Sequence, residues 1–326
     1  MEYRALGRAG LTLSAIGLGA HMFPQGEGPW YPGSYGKRVR EDVSYGERRA
    51  VMDAAIKAGV TLVAGEGGGP ELAAETCLTG RLVRDLGARD AVLLLGVTTF
   101  RPAVWADVRW ADLDAALTTL LEELETDRLD ILEVRVHEAL LASPFPAGLA
   151  AWVQEAKARG RIRATAAYTG DGPDDAILRA IASGAFDAVC RPLGFLNPGA
   201  IQRVLPAARD AGLGFIAFVP FQKGWLFECA REAGLMEDGG AAVARAALRW
   251  ALGHPGVTSV LVGVASPGEL DVNAGMTEGG PLTAAERDLL WRLVQTRAYD
   301  TYLERVKAAN PHAAVDWRRG PPPEAL

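Results

Sequence analysis

Glu133, Arg135 and His137 stand two residues apart in the apolar stretch Arg128–His137. Alternate residues of a strand share one face, so a strand here lines the three up as a column. Arginine's planar donors grip both oxygens of a carboxylate or phosphate, and histidine titrates near neutral pH. Two readings follow. In one, Glu133 and Arg135 neutralise each other in the interior and His137 is a bystander. In the other, Arg135 clamps an anion and His137 serves as acid or base. Glu66 and Glu71 bracket Gly67, Gly68, Gly69 and Pro70. A glycine-rich loop carrying an acid can approach a ligand closely, or it is simply a solvated loop. Tyr168 ends another apolar stretch, where its phenol either donates a proton or fills space. His21 and Arg191 sit at the ends of further such stretches, as catalysts or as surface contacts. The four histidines (His21, His137, His254, His312) form no i, i+2 or i, i+4 pair, and the three glycines lack the Lys-Ser/Thr of a phosphate loop. No metal site is expected.

These residues need a frame. Short apolar runs at 14–19, 61–64, 92–97, 131–136, 164–168, 188–191, 214–218 and 259–262 read as eight strands. Helical periodicity fills 45–58, 72–86, 106–124, 147–159, 174–183, 198–211 and 241–252 between them. Gly59, Gly87, Gly160 and Gly212 follow helix ends and precede strands. Eight β-then-α units suit a closed parallel barrel, with chemistry at the C-terminal rim of the strands. Residues 22–43, rich in Gly, Pro and Tyr, follow the first strand and form a rim lid or an ordered surface loop. One domain is expected over 1–309, with 310–326 as a loosely packed tail.

Composition narrows the function classes. The chain has 326 residues, 49% hydrophobic and 23% charged, enough for one large core. A net charge of −6 argues against a nucleic-acid surface. No apolar run reaches the roughly 18 residues of a membrane span, and no signal peptide is read at the start. Cys77, Cys190 and Cys229 give neither metal spacing nor a disulfide framework, which points to a reducing cytoplasm. The oligomeric state is not legible.

Both ends of the chain carry a family likeness. Residues 1–20, 58–63, 128–137, 160–164, 259–273 and 281–287 resemble the aldo-keto reductases. The resemblance implies a (β/α)8 TIM barrel with an N-terminal hairpin, Tyr3–Leu6 and Leu11–Leu13, capping its floor. It also puts Glu133, Arg135 and His137 inside, rising to the rim. Where the family keeps catalytic Asp, Tyr, Lys and His, gapless alignment finds Ala64, Gly69, Val97 and Arg135. None of these can supply the usual proton to an alkoxide.

The resemblance also implies a nicotinamide cofactor, NADP or NAD, at a partly altered site. The carboxamide-holding Ser-Asn pair falls at Tyr168 and Thr169, and the family's Gln at Cys190. Phe218 takes the stacking position, and Lys223 and Gly224 lie in the pyrophosphate loop. Gly263, Ser266 and Asn273 fit the adenosine-phosphate segment, but Ala265 and Glu269 replace charged partners there, which suits NAD better. Three functions are implied: a divergent oxidoreductase acting on a small anionic carbonyl compound through Arg135, His137, Glu66 and Tyr168; a cofactor-independent lyase, dehydratase or isomerase; or a non-catalytic barrel that binds a ligand or partner.

Overall fold

The computed structural model describes residues 1–19, 45–65, 70–97, 109–136, 145–169, 174–275, 281–309 and 315–319. Two short strands, β1 (Tyr3–Ala5) and β2 (Thr12–Ser14), pair antiparallel. Eight more close into one parallel barrel: β3 (Ile16–Leu18), β4 (Leu62–Gly65), β5 (Leu93–Val97), β6 (Leu129–Arg135), β7 (Ile162–Tyr168), β8 (Ala188–Pro192), β9 (Gly214–Phe218) and β10 (Val257–Val262). Each strand pairs with its neighbour in sequence, and β10 closes the ring on β3.

Among the described residues eleven helices cover this barrel: α1 (Tyr45–Lys57), α2 (Pro70–Asp85), α3 (Trp110–Glu123), α4 (Phe145–Ala158), α5 (Asp174–Ser183), α6 (Val204–Asp210), α7 (Trp225–Glu232), α8 (Ala241–Leu252), α9 (Pro267–Ala274), α10 (Ala284–Leu293) and α11 (Arg297–Ala309). The fold is therefore the (β/α)8 barrel expected from the sequence. All eight barrel strands lie where the apolar runs put them. The helix expected over 198–211 is instead a 3-10 turn, Gly199–Ile201, followed by α6. Pro206 explains the restart. It has no N–H and is tolerated only in a first turn, so the helix begins just before it.

Period-2 alternation separates two apolar layers. Ala64, Leu95, Ile131, Ala166, Cys190 and Ile216 pack together inside the barrel. Leu94, Leu132, Val134, Ala167 and Val189 join the larger layer between strands and helices. The hairpin plugs the floor, since Leu6, Leu11 and Leu13 belong to the inner cluster. Burying each such leucine stabilises by about 1.5–3 kcal/mol. The seat is tight: a Cβ on Gly214 would lie 2.3 Å from Leu6 Cδ1, so any larger residue there must displace the Leu6 side chain.

Buried polar staples set the register that carries the site. Asp130, only 1% exposed on the outer face of β6, accepts the backbone N–H of Leu94 at 2.9 Å and a guanidinium N–H of Arg163 at 2.8 Å. Arg89 lies 3.0 Å away on the same carboxylate. One side chain thereby ties β5, β6 and β7. Asp187 does the same from β8's approach, accepting from the Thr165 N–H at 2.8 Å and Lys157 Nζ at 2.7 Å. Removing the partners of Asp130 would leave a buried carboxylate uncompensated.

Within the C-terminal segment, expected to pack loosely, the described residues 315–319 dock on the barrel. Trp317 is buried, stacks on Phe195 with centroids 5.2 Å apart, and donates its indole N–H to the Phe195 carbonyl at 2.6 Å. The phenol of Tyr299 donates to the Val315 carbonyl at 3.0 Å. An indole brings large apolar area plus one directional donor, which fixes even a short segment. Residues 22–43 lie outside the described residues, as do His21 and His312.

Candidate functional site

The C-terminal ends of β6 to β10 form a continuous arc of the rim. Arg135 and Tyr168 are direct partners across the β6–β7 ladder, and Tyr168 in turn faces Cys190 across β7–β8. The Arg135 guanidinium carbon lies 5.0 Å from the Tyr168 ring centroid, over its face. Such a contact is worth about 0.5–1 kcal/mol when exposed and more when desolvated. The Tyr168 ring also packs on Phe218, with centroids 5.2 Å apart and planes inclined by 35°. Arg135 Nε is buried and has no hydrogen-bond partner among the described residues. A buried unpaired N–H costs roughly 1–3 kcal/mol, so this atom favours an acceptor.

Beneath them, Glu133 faces the interior and is 5% exposed. Burial pushes the Cys190 thiol well above its ordinary range, and the neighbouring Glu133 carboxylate adds to the shift. The cysteine is therefore a protonated thiol rather than a nucleophile. Period-2 alternation along β8 is the signal that could have placed Cys190 beside the acid.

Among the residues expected at the site, Arg135 and Tyr168 come together, with Glu133 on the same inner face. His137 and Glu66 lie outside the described residues, as does Gly69, and the side chain of Glu71 is likewise not described. Arg191 points the other way. It sits in the outer layer, bonded to Thr169 and to Asp174 at 2.9 Å, and fastens β8 to the first turn of α5. The sequence did not separate it from a rim contact, because only the strand's parity does so.

The loop after β9 holds Phe218, Lys223 and Gly224. Its backbone is left-handed at Val219 (φ 49°), Gln222 (49°), Lys223 (54°) and Gly224 (92°). A β-branched residue in that region is strained, and such strain concentrates where a loop's shape matters. The adjoining strand β10 leads to Gly263 and then to Ser266, the N-cap of α9, whose hydroxyl accepts from the Glu269 N–H at 3.2 Å. Glu269 accepts from the Ala265 N–H at 2.8 Å. Its carboxylate thus occupies the amide end of the helix. Asn273 is buried in the last turn of α9.

The model of the aldo/keto reductase family matches residues 15–293. The chain belongs to that family. Aldo/keto reductases bind nicotinamide nucleotides and small-molecule ligands. The barrel also superposes on an aldo-keto reductase from Bacillus halodurans, solved in its holo form, with a TM-score of 0.67 at 17% identity over 90% of this chain and 96% of that one. At that identity the likeness speaks for the fold. No curated protein matches the sequence. No helix among the described residues is long and apolar enough to cross a membrane, and they contain no cluster of metal-ligating side chains.

Proposed function

We propose that this aldo/keto reductase is a divergent oxidoreductase that converts a small anionic carbonyl compound by a non-standard mechanism, with a nicotinamide nucleotide as hydride partner. Arg135 carries the proposal, because its Nε is buried at the mouth of the barrel without a partner among the described residues. A carboxylate fills that need with charge-assisted, two-oxygen geometry. In this reading Arg135 orients the substrate and the Tyr168 hydroxyl donates the proton to the carbonyl oxygen. The guanidinium over the ring eases the charge left on the phenol. His137 and Glu66 are proposed as further proton-handling groups. Ala64, Gly69, Val97 and Arg135 would then stand for the family's catalytic four.

The nucleotide supplies or takes up the hydride when bound. The strained loop with Lys223 and Gly224 suits its pyrophosphate, Phe218 offers a ring face, and Gly263, Ser266 and Asn273 would receive the adenosine end. The Glu269 carboxylate, held on the Ala265 amide beside the N-terminus of α9, repels a 2′-phosphate. NAD is therefore proposed over NADP, in a cytoplasmic protein.

The Tyr168–Phe218 contact favours a second reading. A ring inserted between two others needs about 7 Å between them, two contacts of about 3.5 Å, and here the centroids are 5.2 Å apart. If Tyr168 stays on Phe218, the barrel works without the nucleotide, as a lyase, dehydratase or isomerase. Calorimetric titration of cofactor-stripped protein with NAD, NADH, NADP and NADPH separates the two. Micromolar binding supports the oxidoreductase. Absence of binding at millimolar concentration removes the hydride partner and leaves the second reading.

A further inference from the structure

The loop after β9 is held from two sides. On one, a Cβ on Gly194 would lie 2.3 Å from the Pro220 carbonyl oxygen, so the turn after β8 rests directly on the loop backbone. On the other stands α11. Gln222 is buried and uses both ends of its amide. Its Nε2 donates to the Val219 carbonyl at 2.8 Å, inside the loop, and its Oε1 accepts from the Tyr302 hydroxyl at 3.1 Å. Tyr302 lies 80 residues further along the chain. It is buried too, with its ring centroid 6.0 Å from that of Trp225, the first residue of α7. The two residues that the Gln222 amide ties together, Val219 and Gln222 itself, are both left-handed.

Left-handed backbone at non-glycine residues persists only when its surroundings over-determine it. Two backbone bonds close the turn locally, Gln222 N–H to the Val219 carbonyl at 2.9 Å and Gly224 N–H to the Phe221 carbonyl at 3.1 Å. The Tyr302 hydroxyl then fastens that turn to the body of the protein. Without it, the buried Gln222 Oε1 loses a donor, and the amide gains by turning away to find another. A ligand's apparent affinity falls with the fraction of the loop in the binding shape. We propose that Tyr302 is a positioning residue for the nucleotide: acting through Gln222, it keeps the 219–224 loop in the shape that receives the pyrophosphate. This rests on the nucleotide reading above. It deepens that reading by placing control of nucleotide affinity in α11, in a residue that serves the loop rather than the ligand.

The test measures Kd for NAD and NADH by calorimetry on the full chain in four proteins: wild type, Tyr302→Phe, Gln222→Met and the double variant. Tyr302→Phe keeps the ring against Trp225 and removes only the hydroxyl. Its Kd for both nucleotides should rise about five- to ten-fold, the scale of one buried hydrogen bond. A hydroxyl that only adds to global stability leaves Kd alone, because the folded fraction stays near one. Gln222→Met should weaken binding as well, and the double variant should bind no more weakly than Gln222→Met, since the hydroxyl acts through the amide. Circular dichroism confirms each fold, and should Gln222→Met not fold, the Tyr302→Phe ratio decides alone. A Kd within about two-fold of wild type in Tyr302→Phe overturns the proposal while the nucleotide reading stands. Fully additive losses in the double variant also overturn it, because the hydroxyl then acts by another route. No binding of either nucleotide to the wild type at millimolar concentration overturns the nucleotide reading and this proposal together.

Discussion

Arg135 and Tyr168 are register partners on adjacent strands, and the guanidinium carbon of one lies 5.0 Å from the ring centroid of the other. A planar cation is held at the mouth against an aromatic face. Arg135→Lys keeps the charge but loses the plane and the paired donors. We predict a fall of about 10²-fold in kcat/KM for an anionic substrate, the scale of one lost charge-assisted bond in a water-poor site. Steady-state kinetics would check it, and an unchanged kcat/KM would remove Arg135 from the site.

Tyr168→Phe separates the ring from the hydroxyl. The packing on Phe218 and under Arg135 needs only the ring. The ring packing should therefore persist, read as an unchanged near-UV circular dichroism spectrum, while kcat falls about 10²–10⁴-fold, the usual contribution of a general acid. A variant that keeps full kcat would show that the phenol fills space and handles no proton.

Glu269 sets a nucleotide preference. Its carboxylate sits on the Ala265 amide at the start of α9. NADH should bind the wild type at least about ten-fold more tightly than NADPH, and Glu269→Gln should narrow that gap by removing one repulsive charge. Fluorescence titration of both reduced nucleotides reads the ratio, and NADPH binding as tightly as NADH would refute the assignment.

Acid should weaken the fold through His254. Its ring meets Trp250 edge-on at 4.5 Å, and burial lowers its pKa from the ordinary 6.5. The folded pKa lies below the unfolded one, so the unfolded chain takes up the proton first as pH falls. The contribution of the neutral ring is whole above about pH 6.5 and is lost progressively below it, down to the folded pKa. Denaturant midpoints between pH 7 and pH 5 should fall in the wild type and fall less in His254→Gln. Parallel slopes for the two proteins would exclude His254 as the cause.

Trp317 should behave as a core residue despite its place near the C-terminus. Trp317→Ala removes the stack on Phe195 and the indole bond to its carbonyl. A loss of about 3–5 kcal/mol is expected, read from urea unfolding. A loss under about 1 kcal/mol would mean the segment docks without stabilising the barrel.

Much of the frame was legible because strand parity and helix period are written in the apolar residues. Asp174–Ser183 and Gly214–Phe218 match the expected bounds at both ends. The capping box Thr283–Glu286 forms within the stretch 281–287 that resembles the family. The docking of Trp317 was not legible, since it depends on Phe195 and Trp250 meeting it from distant parts of the chain. Arg135 and Tyr168 were read as site residues one by one. Their pairing is a register fact, fixed by Asp130 bonding three strands, and register leaves no local trace in composition. Arg191 shows the same limit: one step along β8 turned a candidate ligand contact into a brace for α5.

The leucine-filled hairpin stoppers one end of the barrel, and the side chains packed inside make the interior a solid core rather than a pore. Structural duty therefore falls to the floor, and the aperture is the opposite rim. Because Leu6, Leu11 and Leu13 seal the far end against Leu62, Leu95 and Ile131, residues at the aperture can vary without loosening that seal. The barrel can thus change what it holds while keeping what holds it together.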